Sequence, residues 1–155
     1  LNITGGEKYI VEIDWGDMRF SYNFGNWNSD TLSYDDPSER GWGTSFQDGN
    51  NQVTVTNRSS QPIQSTIGLT IEDDILTDLD FHLTTLNQNN DNNNYPTDPQ
   101  TLQSGATEDN STTAYVNIKS DDIIPNDAMR EKYSTDSDMK IGNITVTVQK
   151  TTNNP

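Results

Sequence analysis

Carboxylates are the most abundant chemically active side chains in this 155-residue sequence, with 24 Asp and Glu against nine Lys and Arg. Several lie close together in polar segments, where they resemble the oxygen-rich sites that supply calcium with roughly six to eight ligands. The candidate calcium ligands are Glu72, Asp73, Asp74, Asp121, Asp122, Asp136 and Asp138. No EF-hand spacing accompanies them, so diffuse counter-ion binding is the alternative interpretation, and no other cofactor is expected.

The sequence lacks the residue combinations that enzymes commonly use. Adjacent carboxylates in a strand point to opposite faces, so they do not form the facing pair that a glycoside hydrolase requires. The one histidine, His82, lies between Phe81 and Leu83, where strand alternation turns it away from their apolar face. Cysteine is absent, and no nucleophile-elbow, P-loop or zinc-protease motif occurs. We therefore expect a protein that is not an enzyme.

Aromatic residues offer a second kind of chemistry, the stacking of sugar rings. Trp27, Tyr34 and Trp42 fall in a polar stretch, where they would form a carbohydrate-binding platform if they were exposed. The alternative is structural: Trp15 and Trp42 would fill the core and Trp27 would cover it.

Four Asn-x-Ser/Thr sequons are candidate glycosylation sites. They are Asn2, Asn57, Asn110 and Asn143.

The charge balance limits the possible partners. A net charge of −15 and a pI near 4.1 repel nucleic-acid phosphates and anionic lipid surfaces. No apolar run is long enough to span a membrane. The Asn- and Thr-rich composition resembles that of extracellular bacterial surface proteins, and the absence of cysteine does not exclude secretion. We expect a secreted, extracellular or cell-surface protein, with Leu1 as a mature N-terminus left by a signal peptidase.

Period-two alternation of apolar residues predicts how these groups are positioned. Leu, Ile, Val and Phe make up only about 19% of the chain, a fraction typical of disordered proteins. They are nevertheless gathered into strand-length segments, which favours an antiparallel Ig-like or jelly-roll-type β-sandwich of seven to eight strands. The predicted strands are residues 8–15, 18–24, 52–57, 63–71, 79–86, 112–118 and 140–149.

We interpret residues 1–155 as a single domain. Residues 25–51 and 87–111 are predicted to be long loops, and residues 150–155 a tail. Within the second loop, residues 87–98 are too polar to contribute to a core. The only helix predicted lies near residues 126–132.

Three segments of the sequence resemble those of a group of secreted Gram-positive proteins with an Ig-like sandwich. They are VEIDWGDMRFSY, which fits a V-x-I-x-W-G-x-M-x-F pattern, then NQVTVTNRSSQPI, and finally IGNITVTV. A more distant resemblance is to the TasA and camelysin-like matrix proteins. That resemblance implies polymerisation by donation of an N-terminal strand, and neither group implies catalytic residues.

The N-terminal strand is the most specific feature for function. Its apolar positions alternate through Leu1, Ile3, Tyr9, Val11, Ile13 and Trp15. Gly5-Gly6 and Gly16-Asp17 flank it as predicted hinges. Residues 1–15 therefore suit donation to the sheet edge of a neighbouring copy, and head-to-tail donation produces a filament. The alternatives are an ordinary first strand, paired within its own chain, and a monomeric surface module that binds glycans or cell wall.

Overall fold

The computed structural model describes residues 9–35, 40–88, 93–105, 107–120, 122–134 and 138–151. These residues form short strands, one 3-10 helix over Asp74–Leu79 and one α-helix, α1, over Asp127–Tyr133. The strands are β1 (Val11–Trp15), β2 (Asn26–Asn28), β3 (Ser33–Asp35), β4 (Gln52–Asn57), β5 (Ile63–Ile71), β6 (His82–Thr84), β7 (Gln100–Leu102), β8 (Ser111–Asn117) and β9 (Gly142–Lys150).

Seven of these strands form a sandwich of two antiparallel sheets, so the predicted all-β class is confirmed. The first sheet has the order β1-β4-β8-β6, and the second has the order β7-β5-β9. Strands β2 and β3 make a separate hairpin within the predicted 25–51 loop. Neither helix in the described residues is long and apolar enough to cross a membrane.

Alternation in β4 and β5 builds the centre of the sandwich. Val53 and Val55 in β4 are fully buried, and so is Ile63 in β5, while the residues between them are more exposed. A second apolar cluster joins Leu76 and Leu79 of the 3-10 helix to α1. The helix at residues 126–132 was thus predicted within one residue of α1, whose N-cap Asn126 accepts a hydrogen bond from the Met129 N–H.

Several boundaries predicted from the sequence were wrong. Residues 74–79 form the 3-10 helix, so the strand predicted at 79–86 shrinks to β6. The predicted 87–111 loop contains β7, and its Tyr95 is buried, with a hydroxyl 2.6 Å from the Thr112 hydroxyl. Trp15 is 48% exposed and does not fill the core, because it ends β1 at the edge of its sheet.

Residues 18–24 keep their predicted alternation without forming a regular strand. Met18, Phe20, Tyr22 and Phe24 are half-buried, and the residues between them are exposed. Side chains of the 41–50 segment substitute for a neighbouring strand. The Ser45 hydroxyl accepts from the Ser21 N–H and donates to its carbonyl, both at 3.0 Å.

Gly16 is held tightly and does not form the predicted hinge. Its N–H donates to the Gln52 carbonyl at 2.8 Å, which continues the ladder beyond β1. A Cβ at this position would lie 1.9 Å from the Gly49 carbonyl oxygen, so the glycine permits a close backbone approach.

Asn57, at the end of β4, ties the two sheets together. It is fully buried, and its amide nitrogen donates to the carbonyls of Gln61, Leu102 and Gln103 at 2.8, 3.1 and 2.8 Å. Its side-chain oxygen accepts from the Ser59 N–H at 2.8 Å. Since Asn57 belongs to β4 and Leu102 to β7, this side chain connects the first sheet to the backbone of the second.

Replacing Asn57 with Ala should lower the free energy of unfolding by about 2–4 kcal/mol, because buried carbonyls lose their donor. The exposed Asn143→Ala variant is the control and should change it by no more than about 0.5 kcal/mol. Urea denaturation measures both. Equal effects of the two substitutions would contradict the role given to Asn57.

Candidate functional site

The N-terminal strand pairs within its own chain from residue 11 onward. Strand β1 lies antiparallel to β4, with Val11 opposite Asn57 and Trp15 opposite Val53. Ahead of it, the Ile10 N–H donates to the Ser59 hydroxyl at 2.7 Å, and the Arg58 N–H donates to the Ile10 carbonyl at 2.8 Å. Of the predicted donor positions, Tyr9, Val11 and Ile13 pack against the sandwich core. Leu1 and Ile3 lie outside the described residues.

The second sheet has one incomplete strand position. Strand β5 pairs with β9 along all nine residues, from Ile63 to Ile71. On its other side β7 pairs with only three of them, Ile63 to Ser65. Among the described residues, no strand pairs with the edge of residues 66–71 that faces away from β9. We call this the open β5 edge.

A cavity of about 530 Å³ borders the open β5 edge. Its walls come from β5, from residues 80–83 around β6 and from residues 94–97. Leu69 and Leu83 are half-buried there, and Ile67 and Tyr95 are buried. Apolar side chains therefore line a slot beside backbone groups that have no strand partner, an arrangement that favours strand addition.

Sequence reasoning missed this edge. Tyr95 and residues 66–71 have no special motif, and the polar stretch around Tyr95 suggested a loop without core contacts. The available signal was the difference in length between the nine-residue run 63–71 and the short run at 100–102.

A second cavity, of about 660 Å³, has Phe81 in common with the first. Residues 18–24, α1 and residues 138–142 surround it, and Leu76, Leu79 and Phe81 contribute to its lining. Trp42 lines it too, packed edge-on against Tyr22 and Phe46 at centroid distances of 5.2 and 5.6 Å. The Trp42 indole N–H donates to the Ile123 carbonyl at 3.3 Å, so this Trp has a structural role beside the cavity.

The hairpin brings together two of the three predicted sugar-stacking residues. In the register of β2 and β3, Trp27 lies directly opposite Tyr34. Trp42 belongs instead to the aromatic cluster beside the second cavity.

The acidic cluster at residues 72–74 is engaged by the protein's own side chains. Lys132 and Tyr133 of α1 donate to one oxygen of Asp73, and the other oxygen caps the 3-10 helix by accepting from the Ile75 N–H at 3.2 Å. The hydrogen bonds from Lys132 and Tyr133 lower the pKa of Asp73 from 3.8 to about 2. Burial and the Asp73 carboxylate raise the pKa of Tyr133 to about 12.

The other calcium candidates do not gather around a common point. Glu72 accepts from the Asn143 amide at 2.7 Å, and Asp138 pairs with Arg19 at 3.4 Å on the exposed surface. Asp74 and Asp122 are exposed. Within the described residues, no group of three or more His, Asp or Glu side chains is close enough to hold a metal ion. Asp121 and Asp136 lie outside those residues, so calcium binding stays a prediction.

The sequons differ in accessibility. Asn57 is not accessible in the folded chain, because it is fully buried and its amide nitrogen donates to three carbonyls. Asn110 is half-buried, with its amide 3.5 Å from the Asn57 carbonyl. Asn143 is exposed, and Asn2 lies outside the described residues.

The one histidine, His82, is half-buried, and its Nδ1 lies 2.7 Å from the Asp80 carbonyl oxygen.

No family model, curated protein or solved structure matches this chain.

The contacts of Asp73 predict a distinct pH dependence of stability. Because folding lowers its pKa, the stabilising contribution is fully present above pH 3.8 and is lost as the pH falls through about 2. The Asp73→Asn variant should therefore be less stable than the wild type at neutral pH, and the difference should shrink toward zero across that acid range. Urea midpoints measured as a function of pH test this.

Asp74→Asn is the matched control, since Asp74 is exposed and its carbonyl contact with the Thr77 hydroxyl remains in the variant. A stability difference for Asp73→Asn that stayed constant down to pH 2 would show that the carboxylate charge does not stabilise this contact.

Proposed function

We propose that this protein is a structural subunit of an extracellular filament or matrix and that it assembles head-to-tail by strand addition. The observation that carries the proposal is the open β5 edge. There β7 covers three of nine residues, and the remaining edge lies beside an apolar cavity of about 530 Å³. The sheet and the core are thus incomplete at the same place, and an added strand would complete both.

The chemistry of the open β5 edge fits an extended polypeptide. A strand aligned with β5 would form backbone hydrogen bonds with it and direct alternate side chains toward the cavity. The lining beside it is mostly apolar, with Leu69, Leu83 and Tyr95 among its residues. The incoming strand should therefore carry apolar residues at every second position.

Residues 1–4 of a second copy have that pattern. Leu1 and Ile3 alternate with Asn2 and Thr4, and Gly5-Gly6 separates them from β1. Since residues 11–15 pair with β4 of their own chain, the proposed donor is limited to residues 1–8. Fully extended, eight residues reach about 27 Å, enough to enter a neighbouring subunit.

Donation through this route joins two different surfaces of the subunit. Such a heterologous contact does not close on itself unless its rotation forms a ring, so it propagates as a filament. The acidic surface keeps the individual subunits soluble before assembly. The extracellular location is supported by the composition and by the resemblance to secreted Gram-positive proteins.

Removing residues 1–8 should abolish filaments and leave folded monomers, because β1 keeps its own partner strand. The single substitution Ile3→Asp should shorten or abolish the filaments, because a charge would enter the apolar slot. Negative-stain electron microscopy and sedimentation velocity measure the two outcomes.

The matched control is Asn2→Asp, which adds the same charge on the opposite side of the donor segment. It should assemble as the wild type does. Filaments that survive deletion of residues 1–8, or a wild-type chain that never assembles, would overturn the proposal.

A second candidate function is the binding of a neutral glycan. The register that places Trp27 opposite Tyr34 favours it, because paired aromatic residues on a hairpin are suited to stacking on a sugar ring.

Under this second candidate, Trp27→Ala should lower glycan affinity by at least about tenfold, since a stacking surface is lost. Glycan-array screening followed by calorimetry measures the loss. Trp15→Ala is a control that removes an exposed tryptophan elsewhere. Absence of glycan binding by the wild type would eliminate this function.

A further inference from the structure

The outer face of the second sheet carries no charged side chain along residues 64–70 and 143–149, in a protein that is otherwise strongly acidic, and Glu72 borders it at one end, 3.9 Å from Lys140. Its outward positions alternate with the buried row of β5 and follow the β5–β9 and β5–β7 registers. We call them the neutral face: Gln64, Thr66, Gly68, Thr70, Thr101, Asn143, Thr145, Thr147 and Gln149. The outer face of the first sheet differs, since β1 presents Glu12 and Asp14 there, and Arg58 pairs with Glu12 at 3.0 Å.

We propose that the neutral face is a contact surface for a second copy of this chain. Two molecules of charge −15 repel each other over most orientations. The repulsion is least where carboxylates are few, and the neutral face meets one only at its Asn143 end, where the Lys140 ammonium lies 3.9 Å from Glu72. Charge therefore favours this face over the outer face of the first sheet as the side on which two copies meet.

The side chains of the neutral face can form hydrogen bonds with the same side chains of a second copy. Hydroxyl and amide side chains both donate and accept hydrogen bonds, whereas a carboxylate only accepts and an ammonium group only donates. A symmetric pair brings the same residues from both copies together, so each group must be able to bond with its own kind. The face already shows this pairing, since the Gln149 amide donates to the Gln64 side-chain oxygen at 3.1 Å.

Gly68 permits close approach from outside the subunit, both at the neutral face and at the cavity beside the open β5 edge, which it also lines. It lies in the middle of β5, where a glycine weakens a strand. A Cβ at Gly68 would meet no described atom within 4 Å, so nothing in the described part of the subunit requires a glycine here. A glycine in the middle of a strand often marks a bulge, a tight bend or a place where another backbone or ligand comes near. Gly68 lies opposite Thr145 at the centre of the neutral face.

The size of the face indicates a weak contact. At about 3.4 Å per residue and 4.8 Å between strands, it covers roughly 300 Å² per copy. A stable interface covers about 800 Å² per partner. The contact is therefore weak between two free subunits and becomes effective when many copies are held in an array, as they are side by side in neighbouring filaments.

The test places a charge at the centre of the face, on the strand that lies across β5 from the open β5 edge. Thr145 is exposed on β9, which β5 separates from that edge. Thr145→Glu and Thr145→Lys should each weaken self-association about tenfold, and an equal mixture of the two variants should restore it. Sedimentation velocity over a concentration series measures this in the full-length chain, in both the wild-type and Ile3→Asp backgrounds. Added salt should strengthen wild-type association by screening the net charge.

Ser111→Glu is the matched control, because it adds the same charge to an exposed outward position of the first sheet, and it should leave association unchanged. Filament length, scored by electron microscopy, reports separately on strand donation and should not respond to Thr145 substitutions. A wild-type chain that sediments as a monomer at every concentration and salt level overturns the proposal, and so does an equal loss in Ser111→Glu. Retention on a neutral polysaccharide without self-association would likewise overturn it and assign the face to a glycan.

Discussion

The buried side chain of Asn57 is the constraint on which the sandwich depends. A sandwich with so small an apolar fraction has few large side chains with which to hold its sheets in one relative position. Asn57 supplies a directional connection, because its amide satisfies carbonyls around the end of β7 while its backbone belongs to β4. The turn that it organises also presents Ser59, whose hydroxyl holds Ile10 ahead of β1. The start of the N-terminal strand is thus held both by its pairing with β4 and by the turn that Asn57 organises.

That dependence explains which parts of the fold could be predicted from the sequence. Strands such as β4 and β9 alternate regularly, and the pattern gives their positions and inward faces. Tyr95 could not be predicted as buried, because it is buried by packing in the core cluster with residues distant in sequence, such as Val53 and Ile63. The sequence does not distinguish the roles of Gly16 and Gly68. A Cβ at Gly16 would clash with a neighbouring carbonyl oxygen, whereas a Cβ at Gly68 would meet no described atom within 4 Å. Such differences arise only from tertiary contacts.

The candidate sites show the same limit. The acidic residues at 72–74 suggested a cation, and the structure gives Asp73 a cation from the protein itself, the Lys132 ammonium. Sequence reveals an excess of carboxylates but not which of them are already neutralised. The open β5 edge is a stretch of backbone without a partner strand among the described residues, and no residue type or motif marks such a stretch in a sequence. It becomes visible only when the register of β7 against β5 is known.

The contact between Tyr9 and Lys150 has a mechanical consequence. The Lys150 ammonium lies 4.9 Å from the Tyr9 ring centre, so the start of β1 and the end of β9 lie at the same end of the sandwich. These two strands are edges of different sheets. A force that separates Tyr9 from Lys150 would break the β1–β4 and β9–β5 ladders one hydrogen-bonded pair at a time, beginning at that end. The subunit is therefore mechanically soft when pulled at this point, and it would open by peeling, with the β4–β8 pair still joined.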